Sequence, residues 1–578
     1  MIRSQRRISS HLFSEFRFIG DILGLLLLAT TAWAEPNCQQ AELSKAALAT
    51  YDFESPPPSI TLSANETVTL TEVRVRQQRV FQEETPWFKR LANRYHWQTR
   101  AQVLQEALPF AVGEQITARQ LAEAERILRA KPYLFEAAVV VSQRCAGGDG
   151  VHVRLDVIAR DVWTLNPRLI FSRSGGENEF GIGLSDTNWF GTGTAFSVGY
   201  IEDEDRSGVS VFYIDPNLAG SRWSLGSYLF NNDDGHLVDV TLERPFYALD
   251  TTYTLGANVR DHKREEGLYF LGDELVEFEA ETKSTSLFGG RLLRRTDRSV
   301  SRLIAGVNYT EETFEFPTGF PDPATDRNFV YPYIAYQQMA DQFVERVNLD
   351  RIQRTEDIAL GTTLYAELGY AADALGSDGD HWIYKAHGRH TRWLSDTALT
   401  SVGFELNGRR DLDNDRNENV VASAYAAFRQ NHHERFSFLA RGAFHYTDNL
   451  TVDRQLLLGG ARGLRGYPNR YQTGDRGYLV TLEERYYSDL YPFEMFRLGA
   501  AVFVDIGRVW YHDTAPAWVP TNRSGDEFDT LANIGVGLRL ESTRTRRDRI
   551  LHIDFAVPLV DGPNVKGVEI TLVAKRSL

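Results

Sequence analysis

Residues 456–510 read LLLGGARGLRGYPNRYQTGDRGYLVTLEERYYSDLYPFEMFRLGAAVFVDIGRVW. Glycines 459, 460, 463 and 466 bracket Arg462 and Arg465. They permit tight turns because glycine has no Cβ. Leu464-Arg465-Gly466-Tyr467 is followed by a segment carrying Glu483 and Arg485, then by one carrying Asp505 and Gly507. Residues two apart share one face of a strand, so an arginine loop precedes carboxylates at strand spacing. A guanidinium held in a water-filled barrel pairs bidentately with a carboxylate, which makes Arg465 with Glu483 or Asp505 the expected pair. Spacing alone also fits solvated charges on a loop and a lumen wall.

The chain outward from this stretch is built to the same rhythm. From Trp163 onward, segments of about ten residues alternate apolar and polar positions, the period of transmembrane strands. Leu360, Thr362, Leu364, Ala366 and Leu368 face away from Tyr365, Glu367 and Gly369. Short turns recur at 188–191, 215–218, 245–247, 294–298, 343–356, 394–397, 430–435, 488–495 and 542–548, and longer polar loops are expected at 264–279, 316–328, 412–418 and 511–529. Pairing them predicts about ten hairpins and hence an antiparallel barrel of roughly sixteen to twenty strands, twenty favoured. Composition agrees: the 578 residues have 45 Gly, 12% aromatic side chains and a net charge of -15, with a mean hydropathy of -0.34. Such an average hides a barrel, whose lipid-facing residues alternate with polar ones. The last strand, 567–574, sets Val568, Ile570, Leu572 and Ala574 outward.

Leu-Arg-Gly-Tyr after a Gly-Gly, then Glu-x-Arg, then Val-Phe-Val-Asp-Ile-Gly resembles the BamA/TamA/FhaC superfamily of outer-membrane insertases and translocases. The resemblance implies a loop folded back into the barrel. Its latch would be Arg465, Gly466 and Tyr467, fixed by Glu483 and Asp505 on the inner wall.

The N-terminal third divides differently. Residues 1–34 read as a signal peptide: Arg3, Arg6, Arg7 and Arg17 precede an apolar run ending in Ala32-Trp33-Ala34. Residues 35–64 form an extension with a Pro-rich linker, including a short helix over 38–51. Residues 65–162 follow the order strand, helix, helix, strand, strand and resemble a POTRA domain, with Thr99 and Thr117 as helix caps. The stretch 81–97 is extra to that pattern. Residues 163–578 are the barrel. The two cysteines, Cys38 and Cys145, in an exported chain are expected to form a disulfide.

Function follows from the resemblance. The chain is expected to be an outer-membrane assembly or translocation component of a Gram-negative cell, its POTRA domain in the periplasm receiving polypeptide by strand addition. The partners implied are unfolded outer-membrane or secreted polypeptide clients, the lipid bilayer with its lipopolysaccharide, and periplasmic chaperones or accessory proteins. The alternative is a passive channel or surface-antigen scaffold without insertase activity. A narrower version, a two-partner secretion transporter, is weakened by a single POTRA domain and no evident N-terminal plug helix. No enzyme activity, cofactor or metal is expected. His432-His433 would point to opposite faces of a strand, and Asp411, Asp413 and Asp415 lack the glycine and glutamate of a calcium loop. The acidic balance argues against nucleic acid.

Overall fold

The computed structural model describes residues 37–575 apart from 52, 54, 65, 82–86, 149, 350, 353–354, 514, 521–528 and 545–549. The expected signal peptide lies outside the described residues. The chain first builds an α+β domain from β1 (Asn37–Gln40), α1 (Lys45–Thr50), β2 (Thr67–Gln78), α2 (Trp87–Tyr95), α3 (Ala101–Glu106), β3 (Gln115–Thr117), α4 (Ala118–Arg129), β4 (Leu134–Gly147) and β5 (Gly150–Asp161). The sheet order is β1-β4-β5-β2-β3, with β2 and β5 parallel. Leu104, Leu108, Leu121, Ala124 and Leu128 from the helices bury against Leu70, Val141, Val153 and Leu155 of the sheet.

Three details differ from the sequence expectation. Cys38 sits in β1 rather than in a helix, directly opposite Cys145 on β4, and the two are joined as a disulfide. A segment whose cysteine is bonded to its register partner is held extended, and only Lys45–Thr50 is helical, capped by Ser44. Thr99 is not a cap: it is buried, its backbone N–H and hydroxyl donating to the Asp161 carboxylate at 2.8 and 3.0 Å, while Asn188 donates to its oxygen at 2.8 Å. Thr117 does cap α4, in a reciprocal capping box with Gln120. Because the disulfide spans 107 residues of sequence, Cys38→Ser is expected to cost the domain about 2–5 kcal/mol. Thermal unfolding of parent and variant, followed by domain-specific proteolysis, measures it.

Among the described residues, twenty antiparallel strands then close into one barrel, counting Arg327–Ala340 and Gln342–Arg346 as a single strand interrupted at Asp341, since both pair with Glu356–Ala371 in one register. Lipid-facing Val502, Ile534, Val536, Phe555 and Ile570 are exposed, and the intervening Phe503, Asp505, Asn533 and Asp554 are buried. The expected long loop 264–279 is instead the tip of a hairpin, strands Tyr253–Phe270 and Asp273–Arg295 joined by Leu271 and Gly272, both at positive φ. Its charges, such as Asp261, Lys263 and Glu279, resemble loop composition because a strand that rises past the bilayer presents its outer face to water. The expected loops 412–418 and 316–328 are likewise shorter, strands resuming at Arg416 and Arg327.

The barrel closes between its first strand, Leu165–Ser174, and its last, Glu569–Lys575, through one register pair, Leu572 with Arg173. Neighbouring hairpins are paired along their whole length, as Leu165–Ser174 is with Glu177–Asp186. The α+β domain docks on the end of the barrel where the chain enters. Arg119 meets Asp250 at 3.1 Å and Asp341 at 2.5 Å. The Glu123 carboxylate accepts from the Leu249 N–H at 2.6 Å. Arg129 reaches Asp357 and Glu345, each at 2.5 Å.

Candidate functional site

At the opposite end the segment 449–475 leaves the strand Phe436–Asp448 and folds back over the lumen as a two-stranded ribbon, Leu456–Leu458 with Gln472–Gly474. Leu458, Leu464, Tyr467 and Tyr471 pack with Phe270, Leu271, Val509, Val519 and Leu531 into an apolar cap. Burying these side chains fixes the loop against the wall and aims Arg465 inward.

Arg465 is buried and holds the Asp505 carboxylate with both arms of its fork, Nε at 2.8 Å and Nη2 at 2.9 Å. Its Nη1 donates to Glu483 and to Asp554, each at 3.2 Å, and the guanidinium stacks 3.3 Å from the centre of the Phe503 ring. Thr481 and Asn533 also donate to Asp505, at 2.9 and 3.0 Å. Glu483 accepts from Arg485 at 2.9 Å, and Asp554 from Arg539 at 2.5 Å. Three guanidinium groups thus face three carboxylates across four adjacent strands and the loop. A buried cluster of this kind persists only while charge and hydrogen bonding balance. Beside it lies a lumen cavity of about 530 Å³ lined by Arg389, Arg429, Arg441 and Lys575.

Gly466 is required by close approach: a Cβ there would stand 2.8 Å from Asn533 Cβ and 3.2 Å from the Pro558 nitrogen. Its N–H donates to the Asn533 side chain at 3.2 Å. Tyr467 is fully buried and donates its hydroxyl to the Ala532 carbonyl at 2.9 Å. Gly466→Ala is expected to push the loop off the wall at a cost of about 1–3 kcal/mol, read as faster hydrogen exchange at residues 464–467.

Every residue expected at the latch is therefore in one network: Arg465 contacts Glu483 and Asp505 together, and Gly466 and Tyr467 fasten the flanking backbone. Arg462, in the same quotation, is exposed instead. Sequence reading missed Asp554, Arg539 and Asn533; the signal available was inward parity on their strands, opposite the lipid-facing Phe555, Leu538 and Ile534. It also missed the loop's outer tether. Arg470 grips Asp205 at 2.8 and 2.5 Å, and Asn469 bonds the Gly175 carbonyl at 3.2 Å and Glu204 at 2.8 Å. Burial alone would raise the Asp205 carboxyl, but the bonds and charge of Arg470 hold it below the usual range. Asp205 therefore contributes stability above its unfolded value, lost as pH falls through the lowered one.

Residues 384–540 match the family model described as haemolysin secretion/activation protein ShlB/FhaC/HecB. The match spans 157 of the 578 residues. It contains Arg465, Glu483, Asp505, Asn533 and Arg539. The matched segment lies within the barrel, and the family it matches is described as one of haemolysin secretion/activation proteins. In three dimensions the chain is similar to CdiB from Acinetobacter baumannii, at 13% identity and TM-score 0.43, over 88% of this chain and 74% of that one. It is similar to CdiB from Escherichia coli at 12% and 0.44, over 88% and 76%. For BamA from Haemophilus ducreyi lacking POTRA domains 1-3 the values are 13% and 0.39, over 88% and 84%. These likenesses are distant, and the strand count rests on the pairing register. No curated protein matches the chain.

Proposed function

We propose that the chain is a translocation component that passes a secreted polypeptide across the outer membrane, with the loop 459–471 as its releasable latch and no catalytic step. The α+β domain is a POTRA domain on the periplasmic side, where it receives the client in extended form; chaperones or accessory proteins deliver the client there. One observation carries this reading: Arg465 is held in the lumen by carboxylates from three strands of the wall. A passive pore gains nothing from a buried, charge-balanced clamp, whereas a gate needs a closed state that is stable yet reversible. The family matched by residues 384–540 favours secretion over insertion.

Insertion of a client into the bilayer, beside lipopolysaccharide and phospholipid, is the second reading. It is favoured by the closing seam, which a single register pair holds. One variant separates the two. Arg173→Cys with Leu572→Cys places two thiols on paired positions of the seam, within disulfide reach. In a strain lacking the chain, the parent gene is expected to restore a polypeptide missing from the medium, and the oxidised seam-locked form to restore it as well. Rescue by the parent but not by the locked form would favour the insertion reading. Unchanged secreted and outer-membrane profiles on deletion would contradict both and leave the passive channel.

A further inference from the structure

The POTRA resemblance leaves residues 81–97 unaccounted for, and the latch does not use them. They include α2, and the segment around α2 is fastened at both ends to the rim of the barrel. The Arg544 carbonyl accepts from the Trp163 N–H at 2.7 Å, and the Arg544 guanidinium donates to the Val80 carbonyl at 3.2 Å. Beyond α2, the Arg100 N–H donates to the Gly191 carbonyl at 2.9 Å. Asn93 closes the segment on itself by bonding the Phe81 backbone at 3.2 and 2.8 Å.

The outer side of this segment has the chemistry of a membrane interface. Trp87 is 68% exposed, Tyr95 59% and Trp97 41%. Arg90 and Arg94 are exposed beside Trp87 at helical spacing. The aromatic surface runs on without a break into the barrel: Trp97 lies 4.6 Å from Phe190, Phe190 5.0 Å from Trp189, and Trp189 5.3 Å from Phe196. Phe196 has the strand parity of Val198 and Tyr200, which are exposed on the lipid-facing side. Residues 79–100 hold five Lys and Arg against two Glu, in a chain whose net charge is -15. An open cavity of about 660 Å³ is lined by Arg79, Trp87, Arg90, Asn93, Arg94 and His96.

Trp and Tyr settle at the headgroup level of a bilayer, one end apolar and the other wet, and arginines on the polar face of an interfacial helix meet lipid phosphates. We propose that α2 and Trp97 lie in the headgroup layer of the leaflet on the domain's side, where Arg79, Arg90 and Arg94 bind the phosphates of anionic phospholipids. The inference rests on the barrel standing in a bilayer and not on the client it handles. Docked in this way, the segment fixes the α+β domain at one height against the membrane.

The test uses the full chain in lipid nanodiscs of bromine-labelled phosphatidylcholine, with and without phosphatidylglycerol. The emission difference between parent and Trp87→Phe isolates one side chain at an exposed position. That component is expected to be blue-shifted and to lose most of its intensity to the bromines. Arg90→Gln with Arg94→Gln, in a barrel that still shifts on heating as the parent does, is expected to lower enrichment of phosphatidylglycerol around the protein about five-fold per arginine, the equivalent of ~1 kcal/mol each. Water-like, unquenched emission from Trp87 would overturn the proposal, and so would equal phosphatidylglycerol enrichment in parent and double variant.

Discussion

Replacing Arg465 by alanine is expected to release the loop from the wall and expose it to protease. The substitution leaves Glu483, Asp505 and Asp554, all buried, with Arg485 and Arg539 as their remaining guanidinium partners among the described residues. Removing one partner from a buried ionic cluster costs about 3–5 kcal/mol, because the remaining charge is neither hydrated nor paired. The cavity left over Phe503 adds to that cost, since the stacked guanidinium goes too. A loss of this size raises the released population by roughly 100- to 4,000-fold. Trypsin cleavage after Arg462 and Arg470 in the folded barrel should accelerate by a comparable factor. Arg465→Lys should fall between, since an ammonium keeps the charge but cannot hold Asp505 with two arms. Equal cleavage in all three proteins would mean that the apolar cap alone holds the loop.

The second large effect is expected at the other end of the barrel. Arg129 on α4 joins Glu125 at 2.6 Å, Glu345 at 2.5 Å and Asp357 at 2.5 Å; burial alone would lower its pKa, but the bond to Asp357 and the charges of Asp357, Glu125 and Glu345 hold it raised. Arg129→Ala would gather three carboxylates with no guanidinium between them. It should weaken docking of the α+β domain by less than the roughly 3–5 kcal/mol of a fully buried cluster, because water reaches Glu345. Arg119 with Asp250 and Asp341 remains, as does the Thr99, Asp161 and Asn188 junction, so the domain should swing rather than detach. Paired spin labels on α4 and on the barrel turn 296–298 should report one narrow distance in the parent and a broad distribution in the variant. A distribution as narrow as the parent's would show that the other contacts suffice.

The pairing of Arg465 with Glu483 and Asp505 was legible in sequence because its chemistry is local: glycines, an arginine and a carboxylate on each of the next two strands fall within fifty residues. Asp554 and Arg539 were not, since nothing in their neighbourhood marks one inward charge over another until strand register brings them beside Arg465. Alternation made the barrel legible for a similar reason, the bilayer imposing one period on every crossing, while the expected sixteen to twenty strands came from counting turns and loops. That period stops being informative where strands outrun the membrane. Around Asp261 and Glu279 the outer face turns charged, and a continuous hairpin has the composition of a loop. Cys38 shows the reverse case: helix-forming neighbours suggested a helix, but a covalent bond to β4 holds the residue in an added strand. The contacts of Asn469 with Gly175 and of Arg470 with Asp205 join residues more than 260 positions apart, which no local pattern announces.

In the proposed function the Arg465 loop closes the lumen, and its release opens it. Single-channel conductance of the full chain in planar bilayers, parent beside Arg465→Ala, tests this most directly. The account predicts a parent that is mostly closed and a variant that opens or flickers between levels. Steady and equal conductance in both would contradict it, leaving the carboxylate clamp a structural brace in a constitutively open pore.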